Sequence, residues 1–68
     1  MAETTVLNVE GMHCQHCVKA VTDELTAVPG VSDVQVNLEA GNAVVVHEPD
    51  VARSTLIAAV DEAGFDAN

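Results

Sequence analysis

Hydrophobic periodicity along this chain switches between two and about 3.6 residues, in an order that admits few folds. Thr4 to Val9, carrying Val6, Leu7 and Val9, reads as a strand that Gly11 ends. From Cys17 to Val28, the apolar residues Val18, Val21, Leu25 and Val28 form one face of a helix, and Pro29-Gly30 stops it. Val31 to Leu38 alternates, with Val34, Val36 and Leu38 on one side. Ala40-Gly41-Asn42 reads as a turn, and Ala43 to His47, with Val44-Val45-Val46, as a short buried strand. Glu48-Pro49-Asp50 breaks the chain. A second helix then runs from Ala52 to Ala63, with Leu56, Ala59, Val60 and Ala63 inward, and Gly64 stands where a helix end favours a left-handed residue. Phe65 to Asn68 leaves room only for a very short strand. The order β-α-β-β-α-β predicts a ferredoxin-like α+β sandwich: a four-stranded antiparallel sheet with two helices on one face and the other face partly solvated. Residues 1–68 form one domain, with no room for a second core.

Charge narrows the function. Eleven acids stand against Lys19 and Arg53, for a net charge of −9. Nucleic acid is excluded, because phosphate binding needs clustered Lys and Arg. An anionic membrane surface is excluded for the same reason. The longest apolar run is Leu56 to Val60, far short of a membrane span. Met1 to Gly11 has neither the basic nor the apolar region of a signal peptide, so a cytoplasmic location is expected, where thiols stay reduced. A start at Met1 and an end just after the last strand read as a stand-alone protein. Like charge favours a monomer in the metal-free state, steered towards a basic partner by a field that salt weakens.

One stretch carries chemistry: Gly11-Met12-His13-Cys14-Gln15-His16-Cys17. Both cysteines of the chain lie in it. The spacing puts Cys14 in the loop after the first strand and Cys17 in the first turn of the helix, with the sulfurs converging. Unpaired N–H groups and the helix dipole at that end favour thiolates. Two convergent thiolates are soft ligands suited to Cu(I) or zinc. Two other readings compete. A thioredoxin-like redox pair calls for a larger, aromatic-rich domain and a cis-proline in a strand, whereas Pro29 follows a helix and Pro49 precedes one. A structural zinc site calls for about four ligands, and His13 and His16 are the available additions.

The motif Gly-Met-x-Cys-x-x-Cys between a first strand and a first helix resembles the heavy-metal-associated domain family. Val9-Glu10-Gly11-Met12, Cys14 to Val21, Val36-Asn37-Leu38-Glu39-Ala40-Gly41 and Ala63-Gly64-Phe65-Asp66 are similar to the bacterial copper chaperones of the CopZ type. The likeness runs over essentially the whole chain. It implies Cu(I) held by Cys14 and Cys17. It also implies delivery to a copper-transporting P-type ATPase, or to that ATPase's metal-binding domains, or to a copper-sensing repressor. Two positions depart from the family pattern. Phe65 stands where such chaperones often carry Tyr, so a hydroxyl near the metal is absent. His13 stands where Ser or Thr is frequent. Zinc-handling relatives usually place an acid beside the Cys pair, and mercury-binding relatives are exported; neither feature occurs here, which favours copper.

The remaining candidates divide by geometry. Met12 is a thioether by type, but strand alternation tucks it into the core under the loop. His16 and His13 are candidates for a third ligand, or for a contact in a metal-bridged dimer, and both titrate near neutral pH when unperturbed. Phe65 begins the last strand, antiparallel to the first, so it belongs beside the loop as an apolar lid. His47 ends the third strand, at the opposite pole, away from any metal. Lys19 either offsets the charge of a bis-thiolate complex or is a solvated helix residue. No Ser/His/Asp constellation or phosphate loop is present, so the expected activity is binding and hand-off of a metal rather than catalysis.

Overall fold

The computed structural model describes residues 2–68. Six elements follow in order: β1 (Glu3–Glu10), α1 (Gln15–Thr26), β2 (Val31–Asn37), β3 (Asn42–His47), α2 (Arg53–Glu62) and β4 (Asp66–Ala67). The strands form one sheet in the order β2-β3-β1-β4, with every neighbouring pair antiparallel. This is the expected α+β plan.

The pleat sorts the residues. Leu7 and Val9 of β1 and Ala43, Val45 and His47 of β3 are buried on the face that the helices cover. Val34 and Val36 share that face, opposite Val45 and Ala43, but on β2 they are only partly buried. α1 contributes Val21 and Leu25 to the same core, and α2 contributes Leu56, Ala59 and Val60. Each fully buried Leu or Val stabilises the fold by about 1.5–3 kcal/mol. The opposite face carries Thr4, Val6 and Asn8 of β1 beside Val46, Val44 and Asn42 of β3. It is uncovered, and Val6 is 49% exposed there.

Most element ends fall within one residue of the sequence reading; α1 and the burial of β3 differ by more, each for a local reason. α1 begins at Gln15 rather than Cys17, because Cys14 takes the N-cap position and the polar Gln15 and His16 form the first turn. It ends at Thr26 with Ala27 as C-cap, although Val28 keeps the apolar rhythm; the Val28 N–H reaches back only to Leu25 O, in a tighter turn. Val44 and Val46 are half-buried rather than buried, since they point to the open face. α2 ends as expected in a left-handed Gly64 (φ 93°). The Phe65 N–H bonds Val60 O and the Gly64 N–H bonds Asp61 O, the paired bonds of a Schellman end. That turn aims Phe65 and β4 back towards the end of β1, where Val9 pairs with Ala67 and Glu10 with Asp66.

Candidate metal site

At the end of β1 the chain turns through Gly11, whose φ of 96° is left-handed. A Cβ there would lie 3.2 Å from Phe65 Cδ1. Glycine therefore allows both the turn and the close approach of the ring. Met12 then buries its side chain in the core, anchoring the loop from below. His13 and Cys14 emerge into solvent. Cys14 is extended (φ −154°, ψ 172°), and its carbonyl accepts from the N–H groups of Cys17 (3.1 Å) and Val18 (3.3 Å). Cys17 is the third residue of α1 and half-buried. Both thiols are free, and their sulfurs stand 3.4 Å apart in a thiol–thiol hydrogen bond.

Local electrostatics favour the thiolate of Cys17. The first turn of α1 holds no acid, and Cys14 makes no side-chain cap bond. The partial positive charge of the helix start is thus left for the sulfurs. The Cys17 thiol is held below its ordinary value, first by a backbone hydrogen bond from His13 and then by the Cys14 thiol; desolvation pulls the other way and is outweighed. Sequence reasoning weighed the His13 imidazole and missed its backbone, which is what acts on Cys17. The one available signal was its position just before a helix N-cap.

The other candidates separate cleanly. His13 and His16 are exposed, and among the described residues no group of three or more His, Cys, Asp and Glu side chains converges as a metal site. The imidazoles therefore do not join the two sulfurs. Lys19 lies 3.3 Å from Asp23, four residues on, with both side chains exposed. Such a pair contributes little, and it gives Lys19 a partner other than the thiols. Phe65 is half-buried beside Gly11, as its topology requires.

His47 sits at the other end of the sheet, opposite Glu3, and is 3% exposed. Its Nδ1 lies 2.8 Å from the Glu48 carbonyl and its Nε2 2.7 Å from Thr5 Oγ1. A carbonyl only accepts, so Nδ1 donates to Glu48 O, while Nε2 is paired with the Thr5 hydroxyl. Both nitrogens are occupied within the fold.

Known proteins resemble this chain in sequence and in fold. A profile of the heavy-metal-associated domain matches residues 6–66. The chain is 46% identical to the copper chaperone CopZ of Bacillus subtilis (strain 168), over 94% of each sequence. It is 35% identical to a stretch of copper-transporting ATPase 2 of Mus musculus, a match that covers 98% of this chain and 5% of that protein. A solved CopZ metallochaperone superposes with a TM-score of 0.92 at 39% identity, covering 97% of this chain and all of that one. The chain belongs to the heavy-metal-associated domain family.

Proposed function

We propose that this protein is a cytoplasmic copper chaperone that binds Cu(I) through Cys14 and Cys17 and passes it on by thiolate exchange. The observation that carries the reading is the pair of free thiols, 3.4 Å apart at the uncapped start of α1. Soft thiolates select a soft ion. A soft-metal–thiolate bond is roughly 2.3 Å long, so two in line span roughly 4.6 Å and the sulfurs must open by about 1 Å. Cys14, exposed at the N-cap, has the freedom to do so; Cys17, on the helix, is the anchor.

Two sulfur ligands leave the ion open to a third. An incoming thiolate of the receiving protein bonds the ion first, Cys14 leaves, and a second incoming thiolate displaces Cys17. No free ion is formed, and the protein acts as a carrier rather than a catalyst. The receiver is the metal-binding domain of a copper-transporting P-type ATPase, a reading supported by the similarity to copper-transporting ATPase 2. A copper-sensing repressor would be served by the same exchange. Glu10 and Asp66, directly opposite each other beside the loop, add negative charge that steers a basic receiver. The −9 charge keeps the metal-free form monomeric, while a copper-bridged dimer through facing Cys14/Cys17 pairs is open to the loaded form.

Thiol–disulfide exchange is the second reading, favoured by the same short separation of the sulfurs. A transfer experiment separates the two. Protein loaded with one Cu(I), mixed with the amino-terminal metal-binding domain of a copper ATPase and separated by ion exchange, should surrender copper to the domain even with a weak chelator in excess. Copper that moves only through the chelator, or turnover of a disulfide substrate without copper transfer, would overturn the chaperone reading.

A further inference from the structure

The sheet has two edges, and they are unequal. β4 is two residues long, whereas β2 is seven. The pairing of β2 with β3 is irregular between Val31 and Asp33, which blunts that half of the edge. The other half, Val34 to Asn37, pairs regularly with β3 on one side. Half of its backbone groups therefore point outward, and it carries no Lys or Pro of the kind that protects edges. β2 runs parallel to β1, so this open half lies at the pole of the metal loop. A groove of about 580 Å³ opens beside it at that pole, lined by Gln35, Asn37, Leu38 and Glu39, by Asn42 and Val44 of β3, and by Gln15 from α1. Gln15 stands between the two cysteines.

The side chains of this edge form two files. Asp33, Gln35 and Asn37 lie on the open face, and Glu39 follows in the turn. Val34, Val36 and Leu38 lie on the helix side, packed against the core yet only partly buried. Among the described residues the one ion pair is Lys19–Asp23, and Arg53 donates to Val6 O, so neither base of the chain serves Asp33 or Glu39. A neighbouring strand that matched both files would place apolar residues over the valines and leucine. It would set amides or hydroxyls beside Gln35 and Asn37, and a cation beside each acid.

We propose that the metal-pole half of β2 is a strand-addition site for an extended segment of a partner protein. The segment is basic, reading Lys/Arg, apolar, polar, apolar, polar, apolar, Lys/Arg. Main-chain bonds to the edge supply affinity, and the two files supply specificity. A segment seated there touches Gln15, which brings its protein within reach of the thiols. A second copy of this chain does not fit the pattern, because its own β2 offers acids where cations are needed.

The test is a titration of the isotope-labelled, reduced, metal-free protein with the peptide Lys-Val-Thr-Val-Thr-Val-Lys, capped at both ends, at millimolar concentration. Amide shifts are expected at Gln15 and from Val34 to Asn42. With peptide about tenfold above its Kd, the outward-pointing amides of β2 should exchange with solvent roughly tenfold more slowly. The peptide with Glu for both Lys should not bind, and the double substitution Asp33→Lys, Glu39→Lys should abolish binding of the Lys peptide and admit the Glu peptide. Shifts confined to α1 and α2, unprotected β2 amides, or equal binding of the two peptides would overturn the proposal. None of these readouts involves copper, so their failure leaves the metal site untouched.

Discussion

The two poles of this sheet both hold groups able to bind metal, and only one of them is available. At the far pole His47 is 3% exposed and spends both ring nitrogens, one on Glu48 O and one on Thr5 Oγ1. At the near pole Cys14 is exposed, Cys17 is half-buried, and each sulfur's side-chain partner is the other. The difference lies in what the backbone leaves over. The far pole closes a strand end with a buried imidazole, and its polar atoms are fully satisfied. The near pole stops a strand at a left-handed glycine and starts a helix with an uncapped first turn, so its donors stay unspent. A metal ion is carried where the fold has not already used its ligands.

The contrast can be broken by substitution. The largest effect is expected at the far pole. His47→Ala should cost about 2–3 kcal/mol, from the void and from the stranded Thr5 hydroxyl. Urea denaturation would measure it, and Cu(I) affinity should stay within about threefold, the poles being too far apart to share contacts. An affinity that falls with stability would show the poles to be coupled. At the near pole the expectation reverses. Gly11→Ala should cost about 1–2 kcal/mol through its positive φ, with a further contribution from the 3.2 Å contact to Phe65. That second part should vanish in a Phe65→Ala background while the first persists. Because the loop itself shifts, Gly11→Ala should weaken Cu(I) binding more than His47→Ala does, and equal effects would contradict the comparison.

A smaller effect concerns pH. The Cys17 thiolate is the charged form, and its folded-state pKa lies below the ordinary 9.0. Its contribution to stability is therefore complete above the unfolded value and is lost as pH falls through the lowered one. Alkylation of the metal-free protein, followed residue by residue against pH, should give Cys17 a midpoint below that of a free thiol. Cys14→Ala removes the second cause and should move the midpoint part of the way back up. A Cys17 profile that is ordinary in both proteins would remove the electrostatic part of the account.

Much of this was legible in the residues. The alternation in β2 and the helical spacing of Val18, Val21 and Leu25 carried the fold, because burial on one face writes its period into the sequence. The spacing of Cys14 and Cys17 carried the site, because one helical turn brings residues three apart together. Antiparallel topology alone put Phe65 beside the loop and His47 away from it. The helix start was misjudged because Gln15 and His16 carry no apolar signal, and its end because Val28 stays in the core after the backbone has left the helix. The bond from Thr5 to His47 spans 42 residues, and no local pattern announces it. The alternation of β2 is visible in the residues, but only the strand order reveals that β2 is an edge of the sheet rather than an inner strand.

The central claim is that Cys14 and Cys17 together, and no other donors of the chain, hold the ion. An anaerobic competition titration tests it, with reduced protein, Cu(I) and Zn(II) set against chromophoric chelators, beside Cys14→Ser, Cys17→Ser and the His13→Ala, His16→Ala pair. The account predicts tight binding of one Cu(I), much weaker Zn(II), and a loss on the order of a hundredfold or more from either serine substitution, each ligand of a thiolate site being worth about 3 kcal/mol. The histidine variant should stay within about tenfold of the parent, less than the roughly 10–100-fold loss typical of an outer-shell partner. Copper binding that survives loss of both thiols, or that collapses with the histidines, would contradict it.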